Sequence, residues 1–223
     1  MSEERAAEPV PVELATRPSL ASQLLRRGRL LAFAVALLIE LAIFFGAMVY
    51  PISPAQQTQL LNQANTLLNS TSSQGPTGMF SAIFNNNVRV ALLEMIPAVG
   101  AFLFGVSMFT TGQVIQALAI SSHLPGPVLG LALFFFPFAI VELSSYAVAA
   151  ASGTMLIVAW RRKRLSDEIP VFVAEAGVVV AAVLIAAIME ATGILDPVAG
   201  LALWLPTALA IAVFVVYLRR RTL

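Results

Sequence analysis

The sequence predicts an all-α, polytopic transmembrane helix bundle of about six spans, with the third crossing broken or re-entrant. Three observations carry this. The 223-residue chain is 59% hydrophobic and only 11% charged, against about 25% charged residues in a soluble domain. Its basic residues gather in short clusters separated by long apolar runs. Those clusters, Arg26, Arg27 and Arg29, then Arg161, Arg162, Lys163 and Arg164, then Arg219, Arg220 and Arg221, all fall on one side if six spans separate them, as the positive-inside rule requires.

Composition also excludes much chemistry. There is no cysteine and only one histidine, His123, so disulfides, thiolate chemistry and paired-histidine metal sites are not expected. No phosphate-binding glycine loop and no nucleophile elbow is present. No cofactor and no metal is expected, and the protein is expected not to be an enzyme. The net charge of +1 gives no reason to expect nucleic acid, because topology explains the basic residues.

In chain order, residues 1–29 read as a cytoplasmic N-terminal tail, polar and punctuated by Pro9, Pro11 and Pro18. Residues 30–221 read as a single transmembrane domain. Its first span, residues 30–49, has roughly the 20 apolar residues a bilayer core needs and carries Glu40. Residues 50–86 form an extracytoplasmic loop. Within it, Leu60, Leu61, Leu67 and Leu68 among polar residues predict a short amphipathic helix, and Ser70–Pro76 a turn-rich loop. The second span, residues 87–109, places Asn87, Ala91, Glu94, Ala98, Ala101 and Gly105 on one helical face, with a kink at Pro97. Residues 110–136 form an interrupted crossing, broken at His123-Leu124-Pro125-Gly126-Pro127. Free backbone there needs cover from protein or a water-filled cavity.

The fourth span, residues 137–160, carries Glu142, Ser145, Ala149 and Ser152 on one face. Glu94 and Glu142 then lie at matched depth, and the two small-residue stripes should face each other. Residues 171–192 cross outward and residues 198–218 cross back. Glu190 is expected to be solvated at the outer end, and Glu175 to pair with the Arg161–Arg164 cluster. Arg89 is expected to snorkel outward or to meet a carboxylate from another span.

The run Asn86-Asn87-Val88-Arg89-Val90-Ala91-Leu92-Leu93, then Gly100, then Thr111-Gly112-Gln113, then Phe136-Pro137-Phe138-Ala139-Ile140-Val141-Glu142-Leu143 resembles the stage II sporulation protein M family of integral membrane proteins. The motifs cover about a third of the chain. Phe138 stands where that family usually has histidine, Ala139 where it has glycine, and Thr111 where asparagine is usual. A role resting on that histidine therefore does not carry over, whereas Glu142 and the Asn86–Asn87 pair do. The resemblance implies a membrane scaffold or subunit that recruits envelope-remodelling or transport partners, with a membrane-associated ATPase system as one such partner.

The candidate functional residues are Asn86, Asn87, Arg89, Glu94, Gln113, Gln116 and Glu142. Ionisable groups at membrane depth are costly, so each needs a partner, a proton or a task. Two functions stay open. One is a non-enzymatic scaffold in the plasma membrane, with both termini cytoplasmic. The other is a channel or secondary transporter for a small ion or solute that uses buried glutamates near a discontinuous helix. The expected partners are the lipid bilayer and membrane or envelope proteins, and the small-residue stripes are compatible with a homodimer.

Overall fold

The structure, a computed structural model, describes residues 19–72 and 75–222. Most of the expected N-terminal tail, residues 1–18, lies outside the described residues, as do the side chains of Leu67, Leu68, Arg219 and Arg221. The described residues fold entirely as helices and turns: α1 (Leu20–Leu24), α2 (Arg27–Val49), α3 (Pro54–Ser72), α4 (Gly75–Glu94), α5 (Val99–Ser121), α6 (Gly126–Leu133), α7 (Pro137–Arg161), α8 (Leu165–Leu195), α9 (Pro197–Ala202) and α10 (Trp204–Thr222).

Local chemistry sets the helix starts. Ser53 Oγ accepts from Gln56 N at 3.3 Å while Gln56 Oε1 accepts from Ser53 N at 2.9 Å, a reciprocal capping box that opens α3. Pro137 begins α7 at a position where its missing N–H leaves nothing unpaired. Asp196 Oδ1 accepts from the amides of Val198 and Ala199 at 3.0 and 3.1 Å and caps α9. Four single helices, α2, α5, α7 and α8, and the segment Pro197–Tyr217 are long and apolar enough to cross a membrane. Together with α4 they make six long helical segments. Large apolar side chains on their outer faces, such as Phe102 at 70% exposed and Leu205 at 79%, are those a lipid environment accommodates.

The contacts fix the directions of these helices. Gln113 Nε2 donates to Ala47 O at 2.8 Å, and Ser121 Oγ accepts from Gln57 Nε2 at 3.2 Å, so α5 climbs beside α2 toward the α3 end. A Cβ built at Gly112 would stand 2.5 Å from Phe44 O and 2.7 Å from Ala47 Cβ. Only glycine lets these two backbones approach so closely. Helices α7 and α8 run antiparallel, with Ser152 beside Glu175 and Phe136 against Gly193. At one end of the bundle, Arg29 meets Glu168 in the first turn of α8, and Phe214 and Tyr217 share a groove with Ala21, Leu24 and Arg29. The N-terminal end of α2, the α7–α8 connection and the end of α10 therefore lie together. This is the arrangement that the three basic clusters demand.

The breaks in the middle of the chain differ from the expected ones. Helix α5 passes straight through Thr110, and the interruption falls one segment earlier, at Met95–Ala98. The physical reasons are local. Thr111 Oγ1 donates to Ser107 O at 2.9 Å, so the Thr-Thr-Gly stretch satisfies itself within the helix. Pro97 instead ends helical bonding, and Val99 N donates to Pro97 O at 2.8 Å across Ala98, at φ 67° and ψ −55°. That is a γ-turn, a strained backbone for a non-glycine residue. The second break, after Ser121, lies at His123–Pro125, within the stretch read as a breaker. Helix α4 also starts at Gly75 rather than near Asn87, and α3 reaches Ser72, so the expected Ser70–Pro76 loop is mostly helical. Ser73 and Gln74 lie outside the described residues.

Helix α4 thus descends from the α3 end, turns at Met95–Ala98 and returns as α5. The turn rests on α7, where a Cβ at Gly153 would stand 2.7 Å from Met95 O. Gly153 precedes the end of α7 by about eight residues, roughly 12 Å along the helix. The α4–α5 hairpin therefore turns back before the basic end, in re-entrant fashion.

Candidate functional site

The hairpin, α7 and α8 enclose a cavity of about 450 Å³. Helix α4 contributes Asn86 and Asn87, joined by an Asn86 Nδ2 to Asn87 Oδ1 hydrogen bond of 2.9 Å. Helix α5 contributes Ser107 and Thr111, helix α7 Glu142 and Tyr146, and helix α8 Glu190. The Tyr146 hydroxyl donates to Glu142 Oε1 at 2.8 Å, which aims that carboxylate at the cavity. Most of the remaining wall is apolar, with Phe44, Phe134 and Phe138 among its aromatic members. Among the described residues, no arginine, lysine or histidine lines it.

Two further carboxylates lie behind this wall. Glu94, 1% exposed, ends α4 and accepts from Ser107 Oγ at 2.5 Å through Oε1. Its Oε2 has no hydrogen-bond partner among the described residues. Glu40, in the middle of α2, is fully buried at 0% exposed, and neither of its oxygens has a partner there. Glu40 is within electrostatic reach of Glu94 and Glu142, and Glu190 is within reach of Glu142. Four helices thus bring one carboxyl group each to a common region. Buried polar groups are almost always satisfied, so three orphan carboxyl oxygens in one region make it the unusual part of the molecule.

The candidates from the sequence divide cleanly. Asn86, Asn87 and Glu142 line the cavity, and Glu94 lies behind Ser107. Gln113 instead ties α5 to α2 through Ala47 O. Gln116 packs at Gly126, with a buried, unpartnered Oε1 away from the cavity. Arg89 is exposed on the outer side of α4. Ala98, Ala101 and Gly105 do not continue the Asn87–Glu94 face, because the chain turns between them.

Three readings change. Glu190, expected to be solvated at the outer end, is half-buried and faces the cavity. Glu175 pairs with Arg29 rather than with the Arg161–Arg164 cluster. Arg29 Nη1 lies 2.5 Å from Glu175 Oε1, its Nη2 meets Glu168, and Ser152 Oγ donates to Glu175 Oε2 at 2.6 Å. The reason is that Glu175 faces inward, toward α2 and α7, while Arg161, Arg162, Lys163 and Arg164 are all exposed. Arg29 is accordingly buried at 7%, whereas Arg26 and Arg27 are exposed. Sequence reasoning missed Ser107 and Tyr146, and undervalued Glu40. The signal for Glu40 was available: it is the only ionisable residue between Arg29 and Tyr50.

Comparison with known proteins agrees with the motifs. The family model described as stage II sporulation protein M matches residues 32–193, a stretch that contains every polar residue of the cavity wall and both carboxylates behind it. No curated protein and no solved structure matches the chain. With well over half of its length matched, and its motifs placed around one intramembrane cavity, the chain belongs to the stage II sporulation protein M family.

Proposed function

We propose that this protein is a non-enzymatic subunit of the plasma membrane, with both termini cytoplasmic, that takes a small cationic solute or proton into the membrane through the α4–α5 hairpin region. One observation carries this reading: a cavity inside the helix bundle bears the carboxylates of Glu142 and Glu190 beside a re-entrant helical hairpin, and ionisable groups at membrane depth mark ion and substrate paths. Supporting it, a γ-turn stores backbone strain at the hairpin tip, next to Glu94, and such strain gathers at working sites.

The test is flux into proteoliposomes that enclose a pH-sensitive dye. After an imposed pH step with valinomycin and potassium to clamp the voltage, the wild-type protein should dissipate the gradient faster than empty liposomes. Glu142→Gln should slow this by roughly tenfold or more, the effect of losing about 1.4 kcal/mol of stabilisation along the path. A wild-type rate equal to that of empty liposomes, or one unchanged by both Glu142→Gln and Glu94→Gln, removes the reading.

A second reading, a scaffold for envelope or ATPase partners, is favoured by family membership and by the sparse packing of α10, whose Leu205 and Leu209 are 79% and 66% exposed. Affinity capture from native membranes that recovers a stoichiometric partner, lost when α10 is replaced by an unrelated span, supports it.

A further inference from the structure

We propose that the cavity is a binding site for a small amphipathic organic cation, such as a protonated alkylamine, bound in exchange for a proton. This rests on the transport reading above and gives it a substrate class. The walls decide the class. Glu142 and Glu190 present carboxylates to the cavity, and no cationic side chain among the described residues lines it, so an anionic ligand has nothing there to meet. A divalent metal ion is also poorly served, since no group of three or more histidine, aspartate or glutamate residues among the described ones could hold it.

Most of the wall is apolar, including Phe134, Phe138 and Met79. A fully hydrated inorganic ion would leave that surface uncovered, whereas an alkyl or aryl tail covers it. The volume of about 450 Å³ falls within the range of about 300–1,000 Å³ typical of small-molecule sites.

An acidic cluster alone would not establish a ligand. The independent observation is the pair of buried side chains with orphan oxygens. Glu40 has two and Glu94 has one, and Glu94 reaches the cavity through Ser107, which lines it. In a low-dielectric interior a carboxylate charge has to be compensated by a proton or by a cation. The titratable groups facing this region are Glu40 from α2, Glu94 from α4, Glu142 and Tyr146 from α7, and Glu190 from α8. None is basic. The balanced step is that R–NH3+ enters beside a carboxylic acid, one carboxyl O–H bond breaks, the carboxylate pairs with the ammonium, and one proton leaves to the aqueous phase.

The experiment uses the full chain in a neutral detergent, titrated by calorimetry with hexylammonium, hexanol and hexanoate, each corrected by titration into detergent alone. A parallel titration in weak buffer counts protons. Hexylammonium should bind at least about tenfold more tightly than hexanol, with hexanoate weaker still. It should release about one proton per molecule bound, and Glu190→Gln or Glu142→Gln should each weaken it about tenfold. Equal binding of hexylammonium and hexanol, or no binding of the ammonium, overturns the proposal on the wild-type protein alone, whether or not a variant folds. Ammonium binding without proton release overturns the exchange. Ammonium binding in a protein that shows no flux would leave this site standing and remove the transport reading. Flux without ammonium binding would do the reverse.

Discussion

Arg29→Ala should destabilise the folded protein by about 3–5 kcal/mol, the cost of leaving the buried Glu175 carboxylate without its counter-charge. Arg29 lies at 7% exposure between Glu168 and Glu175, and Glu175 also accepts from Ser152 Oγ. One guanidinium therefore ties α2 to α8, and through Glu175 to α7, at the basic end of the bundle. Its planar fork can serve two carboxylates at once, which a lysine ammonium does less well. The effect belongs to the orphaned charge more than to a strong bond. The double variant Arg29→Met with Glu175→Met should accordingly recover most of the loss. Thermal unfolding in detergent, followed by loss of the monodisperse peak, reads both. A single variant as stable as the wild type, or a double variant no better than the single, would contradict the assignment.

Gly153→Ala should cost about 1–3 kcal/mol and Gly153→Val more, as overpacked sites do. The added Cβ would stand 2.7 Å from Met95 O and 3.2 Å from Met95 C. Both are backbone atoms, so no side chain can rotate away. The turn at Met95–Ala98 would have to lift off α7 and carry the end of α4 with it, and Glu94 is that end. The variant should thus lose flux as well as stability, while Gly177→Ala on α8, with nothing within 4 Å of its added Cβ, should do neither. Unfolding midpoints and gradient dissipation measured on the same preparations check the pair.

The bundle was legible in the sequence because its determinants are long-range averages. A run of about 20 apolar residues and a parity of basic clusters survive any local misreading. The hairpin was less legible because one proline was weighed against the wrong neighbours. The expected boundary between spans at residues 109–110 falls within one helix, where Thr111 closes its own hydrogen bond on Ser107 O. Pro97 looks like a kink within one helix, but it separates two. Helical periodicity carried across Pro97 then assigned Gly105 to the Glu94 face, when it belongs to a helix running the other way.

The site was legible where polar residues interrupt apolar sequence, as at Asn87, Glu94 and Glu142. Convergence was not. Ser107 and Tyr146 are unremarkable in sequence, and only the fold brings Ser107 onto Glu94 and the Tyr146 hydroxyl onto Glu142. Arg29 shows the same limit from the other side. Sequence assigns it with Arg26 and Arg27 to topology, whereas the packing of α8 turns it inward onto Glu168 and Glu175.

The most direct test of the acidic cavity uses the absence of native cysteine. Ala139→Cys places one thiol in the cavity wall, and Phe102→Cys places one on the apolar outer face of α5. Both proteins are reacted with a cationic and an anionic methanethiosulfonate reagent of similar size. The cavity thiol should be modified, roughly tenfold faster by the cationic reagent, because Glu142 and Glu190 can exchange a proton for a cation beside it but offer an anion no counter-charge. The Phe102→Cys thiol should react with neither. No modification at position 139, or equal rates for the two reagents, would contradict an acidic, water-accessible cavity.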